Sequence, residues 1–297
     1  MVHSNKLFVR KNLNGKTIRR KPNIIVNNKV GSSETIRGIL YYYMDIYSLE
    51  KIDINFLKWF IGFTEGDGCF SFHQKTGYLT FKITQSSNDA QILFYIKKTL
   101  GFGSVSVQDK LNKTHQFRVR DKKGLATLIY IFNGNLLLEK RQLQFSTWLN
   151  AFNVCYKTSI IMKENRVKFS LNNAWLSGFT DAEGYFTASI IKRSKNYTQV
   201  KVRYILSQQG EFKLLNNIKI VLNGTICYLK SYNRYNMTVN LSKLSKIIHY
   251  FSVYPLKTKK KIHYLNWIKI YNLIISKQHF NPINLPKIQN LINKLNK

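Results

Sequence analysis

Trp59-Phe60-Ile61-Gly62-Phe63-Thr64-Glu65-Gly66-Asp67-Gly68 and Trp175-Leu176-Ser177-Gly178-Phe179-Thr180-Asp181-Ala182-Glu183-Gly184 are two versions of one stretch. Aligned without gaps, they share Trp, Gly, Phe, Thr and the final Gly. Both carry acids at the seventh and ninth places, around a small residue. An internal repeat constrains the architecture before any local signal does. The offset, 183 minus 67 or 116 residues, is the size of a small domain. Two similar halves are expected.

Trp59, Phe63 and Gly66 fall at helical spacing, as do Trp175, Phe179 and Ala182, so each stretch predicts a helix with one buried face. Gly62 and Gly66, like Gly178 and Ala182, put small residues four apart on one side, where two helix backbones can approach closely. Gly68 and Gly184 are placed to end the helices, because a residue without Cβ turns the chain cheaply. If the helices pack on each other, Asp67 and Glu183 meet at their C-terminal ends, against the negative pole of the helix dipole. Two carboxylates ~4 Å apart repel by about 4 kcal/mol at an effective dielectric of ~20. A hard divalent cation such as Mg²⁺ between or beside them would offset that repulsion. One copy alone reads as an amphipathic core helix with solvated acids; acids at equivalent places in both copies point to a shared cation.

With 297 residues, 44% of them hydrophobic, the chain can fill two modest cores or one fused pair. Lys and Arg number 47 against 14 Asp and Glu, a net +33 that calls for a polyanionic partner. The bases are spread through both halves. A membrane surface is the rival polyanion, but the sequence holds no apolar run long enough for a spanning helix, so nucleic acid is favoured. Cys69, Cys155 and Cys227 are odd in number and far apart, which suggests neither a zinc site nor a disulfide framework. The His residues form no metal-spaced cluster, and the N-terminus lacks the apolar region of a secretory signal.

After the first motif the pattern switches to period two. Phe70 and Phe72 alternate with Ser71 and His73, and Leu79, Phe81 and Ile83 alternate with Thr80, Lys82 and Thr84; Gly77 supplies the turn of a hairpin. A helix over 89–100 follows, with Asn88 as its N-cap. Strands over 104–108 and 116–120 come next, then helices over 123–132 and 136–156. The second half repeats this order, with strands over 185–192 and 199–206, a helix over 211–222, strands over 225–229 and 235–241, and helices over 242–250 and 257–275. Each half reads α-β-β-α-β-β-α. The expected division is a basic, weakly ordered extension over 1–50, a first repeat over 51–152, a linker over 153–171, a second repeat over 172–280 and a tail over 281–297 with one short helix.

The same alternation collects polar side chains on one strand face. In the first half these are Thr80, Lys82, Gln116, Arg118 and Arg120. In the second they are Thr187, Ser189, Gln199, Lys201, Arg203, Asn236, Thr238 and Asn240. Gln, Asn and Arg can read base edges bidentately in the major groove, which a β-ribbon can enter. An ordinary solvated sheet face would mix both signs of charge. This one has almost no acids, and it is predicted to contact DNA.

The paired stretches resemble the motifs of the LAGLIDADG homing endonucleases, in the single-chain form that carries both copies. Against the nine-residue motif the copies run 60–68 and 176–184, and the resemblance covers about residues 55–275. It implies a pseudo-two-fold α+β fold with saddle-shaped antiparallel sheets. The expected protein is a monomer that hydrolyses phosphodiesters of double-stranded DNA at a long asymmetric target, using Mg²⁺. The motif's metal-binding acid falls on Asp67 and Glu183. Each half also contributes a strand-end polar residue that orients water, Gln85 and Gln208, and a basic residue near the start of its last helix, Lys140 and Lys259. Neighbouring Arg141 and Lys260 leave that last register open by one. The resemblance admits two other roles: an RNA maturase that assists splicing of its own group I intron, alone or beside the nuclease activity, and a DNA-binding regulator without catalysis. Gly31-Ser32-Ser33-Glu34-Thr35-Ile36-Arg37 looks like a group I intron core read as codons, against the alternative of an ordinary loop. Abundant Asn, Lys, Ile, Tyr and Phe suit an A+T-rich gene of the fungal mitochondrial kind, which places the protein in the mitochondrion.

Overall fold

In the computed structural model, residues 51–165, 167–194 and 197–295 are described. The extension expected over 1–50, with its intron-like stretch, lies outside them. The first half runs α1 (Ile54–Asp67), β1 (Gly68–His73), β2 (Tyr78–Ser86), α2 (Ala90–Leu100), β3 (Ser104–Asp109), β4 (Thr114–Val119), α3 (Lys122–Phe132) and α4 (Glu139–Tyr156). The second runs α5 (Trp175–Glu183), β5 (Gly184–Ser194), β6 (Tyr197–Gln208), α6 (Phe212–Leu222), β7 (Thr225–Leu229), β8 (Arg234–Asn240), α7 (Leu244–Val253) and α8 (Lys260–Ile275), and α9 (Leu285–Leu295) follows. The α+β class and the duplicated order hold, and the two closing helices read in each half are both present, making eight elements where the formula counts seven.

Asp53 starts α1 by accepting a hydrogen bond from Asn55 N at 3.0 Å. The helix is buried on nearly every side, through Phe56, Trp59, Phe60, Ile61 and Phe63, not on one face as its spacing predicts. The reason is that it has two neighbours, its own sheet and α5. Against α5 the backbones touch. A methyl group at Gly62 would lie 2.1 Å from Trp175 O, one at Gly178 1.8 Å from Trp59 O, and one at Gly66 2.2 Å from Ala182 Cβ. Trp59 stacks on Phe63 at 4.9 Å between ring centroids, and Trp175 on Phe179 at 4.8 Å, so the two helices are near copies in packing too.

Gly68 and Gly184 do not make left-handed caps. Their backbones are extended (φ −75, ψ 153 and φ −85, ψ 151), so each helix passes directly into a strand. Glycine is needed there for space: a Cβ would sit 2.4 Å from Thr64 Cγ2 in one half and 2.5 Å from Thr180 Cγ2 in the other.

Each half builds a four-stranded antiparallel sheet, ordered β1-β2-β4-β3 and β5-β6-β8-β7. The registers are equivalent, Gly68 pairing with Ile83 and Gly184 with Leu206. One face of each sheet packs on helices. Phe70 meets Trp148 at 5.3 Å in the first core and Phe186 meets Trp267 at 5.3 Å in the second. Helix α2 begins after Asp89, so Asn88 is not its N-cap. Helices α4 and α8 begin three residues later than their sequences suggest, at Glu139 and Lys260, because acids from elsewhere take the preceding N–H groups. Asn153 to Tyr156, counted with the linker by sequence, complete α4. The expected short helix near the C-terminus is α9, which packs on α8 and β5 and buries Ile288, Leu291, Ile292 and Leu295.

Candidate active site

Because α1 and α5 pack side by side and each ends on an acid, Asp67 and Glu183 are delivered to one place. A methyl at Gly66 would lie 3.0 Å from Glu183 Cγ, so the stem of that glutamate rests against α1. Gln85, near the end of β2, donates from Nε2 to Asp67 Oδ2 at 2.6 Å. Burial pushes the Asp67 carboxyl up to about 6, and the negative charge of Glu183 adds to it, while the Gln85 hydrogen bond, Lys260 and Arg141 work the other way. Asp67, Thr84, Gln85, Ser86, Lys260 and His263 are among the residues that line the polar cleft beside this acid. Gln208 stands at the equivalent register, two residues past the partner of Gly184 as Gln85 is past the partner of Gly68.

The two alternative registers of the basic residues differ in geometry. Lys140 and Lys259 are exposed, and their successors turn inward. Arg141 donates from Nε to Glu65 O at 2.8 Å and from Nη2 to Gly66 O at 2.6 Å. Lys260 Nζ donates to Thr180 O at 3.0 Å and Ala182 O at 3.1 Å. Each cation therefore covers the C-terminal carbonyls of its own half's motif helix, where the dipole is negative. Burial lowers the pKa of both groups, and the neighbouring acids oppose that shift.

The seventh-place acids, given no role by the sequence, organise this arrangement. Glu65 accepts from Leu137 N and Leu138 N, both at 2.6 Å, and from Trp175 Nε1 at 2.5 Å. Asp181 accepts from Lys257 N at 2.8 Å, from Thr258 N at 3.1 Å and Oγ1 at 2.6 Å, and from Trp59 Nε1 at 2.8 Å. Each acid thus holds the entry to its own half's last helix and the tryptophan of the other half's motif. Burial pushes Glu65 up to about 8 and raises Asp181, with these donors opposing the shift in both. The signal in the sequence was the repeated Trp-to-acid spacing within the motif; its meaning depends on a partner in the other half.

Asp67 and Glu183 supply hard oxygen donors. No cluster of three His, Cys, Asp or Glu side chains occurs among the described residues. Two carboxylates make a partial shell, which suits a small hard cation that keeps water and takes further oxygens from a phosphate substrate.

The open sheet faces carry the residues expected there. Lys82 pairs with Arg118 and Thr84 with Gln116 in one sheet; Thr187 pairs with Arg203, Ser189 with Lys201 and Arg203 with Asn240 in the other. Thr80 and Arg120 continue the first face, and Gln199, Asn236 and Thr238 the second. No Asp or Glu joins these positions. Gln116 departs from expectation: it is only 6% exposed, and its Oε1 accepts from Arg118 Nη2 at 2.7 Å, so it steadies an arginine more than it faces outward. Thr187 Oγ1 and Asn236 Oδ1 are buried without a partner among the described residues.

A family model described as LAGLIDADG endonuclease matches residues 60–152 and 176–271. "Probable intron-encoded endonuclease 4" of Neurospora crassa is 55% identical over 243 residues, 82% of this chain and 44% of that protein. "Intron-encoded RNA maturase bI4" of Saccharomyces cerevisiae is 28% identical over 260 residues, 81% of this chain and 38% of that protein. The chain thus spans less than half the length of these two relatives. Among solved structures, I-SmaMI bound to uncleaved DNA target in the presence of calcium ions is similar in fold, with a TM-score of 0.66 and 20% identity over 81% of this chain and 99% of that one.

Proposed function

The chain belongs to the LAGLIDADG endonuclease family, and from that premise we propose that it is a site-specific, double-strand DNA homing endonuclease encoded in a group I intron. It hydrolyses phosphodiesters with Mg²⁺ at a long asymmetric target, as a monomer, in the mitochondrion. One observation carries this: two duplicated helices bring Asp67 and Glu183 together at their ends, beside a cleft that Asp67 lines, and the sheets that follow them present polar, largely basic faces. Each repeat takes one half-site, the first extending to the end of α4 at Tyr156 and the second over 172–280, and 157–171 joins them.

A divalent cation held by Asp67 and Glu183 would polarise the scissile phosphate and its leaving oxygen. I-SmaMI, similar in fold, is described bound to uncleaved DNA target in the presence of calcium ions, which supports the involvement of a divalent ion. Gln85 fixes one oxygen of Asp67, and Gln208, at the equivalent register of the second half, would orient water there as Gln85 does in the first. Arg141 and Lys260 supply positive charge where negative charge grows on the phosphorus centre, in geometry set before substrate arrives. Glu183 is one methylene longer than Asp67, so the two half-sites are not chemically identical. Lys82, Lys201, Arg118, Arg203 and the face amides bind and read the duplex, and because the two faces differ in sequence the target is not a palindrome.

A second reading is favoured by the likeness to a maturase: the chain assists splicing of its own group I intron RNA. A regulator without catalysis is disfavoured, because both motif acids are present. The test is to incubate the protein and Mg²⁺ with DNA carrying the uninterrupted form of the gene that houses its coding sequence, using Asp67→Asn and Glu183→Gln as controls. Double-strand cutting lost in both variants is expected. Splicing rescue that survives both would favour the maturase, and binding without cutting would end the endonuclease reading.

A further inference from the structure

Helices α4 and α8 carry Arg141 and Lys260 in their first turns, yet local side chains do little to cap them: at α8 Thr258 Oγ1 accepts from Lys260 N at 3.2 Å, and the remaining N–H groups turn to distant acids. Leu138 and Lys259 occupy the N-cap positions with no side-chain hydrogen bond to the helix. Beyond Glu65 and Asp181, each helix start is held by an acid from the opposite half. Glu211 accepts from Glu139 N at 3.2 Å and Lys140 N at 3.0 Å. Asp89 accepts from Lys259 N at 2.9 Å. In both cases a bonded amide belongs to the residue just before the cation.

Asp89 and Glu211 are equivalent in another respect. Each is the N-cap residue of its own half's middle helix, α2 or α6, and neither side chain caps that helix. An acid in that position ordinarily satisfies the N–H groups of the turn it begins, worth about 1 kcal/mol. Both forgo this and serve the other half, and Glu211 is buried while doing so, at 5% exposure. Helices α2 and α6 in turn follow the strands that carry Gln85 and Gln208 at or next to their last residue.

We infer that Asp89 and Glu211 are positioning residues that act in trans across the repeat: Asp89 of the first half sets Lys260, and Glu211 of the second sets Arg141. The inference rests on the endonuclease reading above and deepens it. Each half would contribute its acid to the chemistry on its own side while fixing the cation on the other, so the two strand cuts are mechanically linked.

The test uses the full chain, Mg²⁺ and a duplex of the uninterrupted gene labelled separately on each strand. At saturating protein, Asp89→Ala should slow the cutting of one strand by roughly tenfold or more, the scale set by small misplacements of a catalytic group. Glu211→Ala should slow the other strand, and DNA affinity should stay unchanged in both. Asp89→Asn, which keeps an acceptor oxygen for Lys259 N, should cut nearly as wild type does. Glu211→Gln keeps one acceptor of two and should give the Glu211→Ala bias in weaker form, which serves if the alanine variant does not fold. Equal slowing of both strands in step with lost thermal stability, or unchanged cutting by a folded Ala variant, overturns the inference while leaving the endonuclease reading intact. Failure of the wild type to cut either strand removes both.

Discussion

One methyl group is enough to probe the joint between the halves. Gly62→Ala would set a Cβ 2.1 Å from Trp175 O and Gly178→Ala 1.8 Å from Trp59 O, against backbone that cannot rotate away. Each should destabilise by about 3 kcal/mol or more, at or beyond the upper end of ordinary overpacking, read as a fall in urea midpoint. Glu65→Gln and Asp181→Asn should cost about 1–3 kcal/mol each, because an amide NH₂ then faces the N–H groups these carboxylates accept. Asp67 and Glu183 were legible in the sequence, since duplication repeats them in a recognisable frame. The role of Glu65 and Asp181 was not, because their indole donors lie 110 and 122 residues away. The cation register stayed open by one in the sequence for a related reason: remote acids hold most of the N–H groups at these helix starts, and at α8 they share that work with a local hydroxyl, Thr258 Oγ1, which accepts from Lys260 N at 3.2 Å.

At the scale of elements, strands were the easiest to read, because alternation reports directly which face is buried. The motif helices were harder. Their spacing shows one apolar face, yet a helix sandwiched between its own sheet and a twin is enclosed all round. Helix α9 shows the opposite difficulty. Ile288, Leu291, Ile292 and Leu295 recur at helical spacing, but nothing local says that they cover α8 and β5. Ile288 is fully buried, so Ile288→Ala should destabilise the protein by about 2–5 kcal/mol in a denaturant titration. A freely dispensable tail would show no such loss.

For the whole molecule, the net charge of +33 makes a salt prediction direct. If six or more phosphates are neutralised, affinity for DNA should drop by ~10³ or more between ~50 and ~200 mM salt, measured by filter binding or anisotropy. A nearly flat response would speak against a polyanionic partner. The pseudo-two-fold plan was legible because it is written twice, and so was the asymmetry within it: Gln85 lies 18 residues after Asp67 but Gln208 lies 25 after Glu183, so the second hairpin must be longer. Strands β5 and β6 have 11 and 12 residues, against 6 and 9 in β1 and β2. The chain returns to its pairing partner after 15 residues from Gly68 to Ile83 and after 22 from Gly184 to Leu206, so the second arm reaches about three and a half residues further, ~12 Å at ~3.3 Å per residue, or three to four steps along a duplex with ~3.4 Å rise. The shadow cast in a nuclease-protection experiment should therefore be lopsided, with the cuts lying off its midpoint toward the shorter arm.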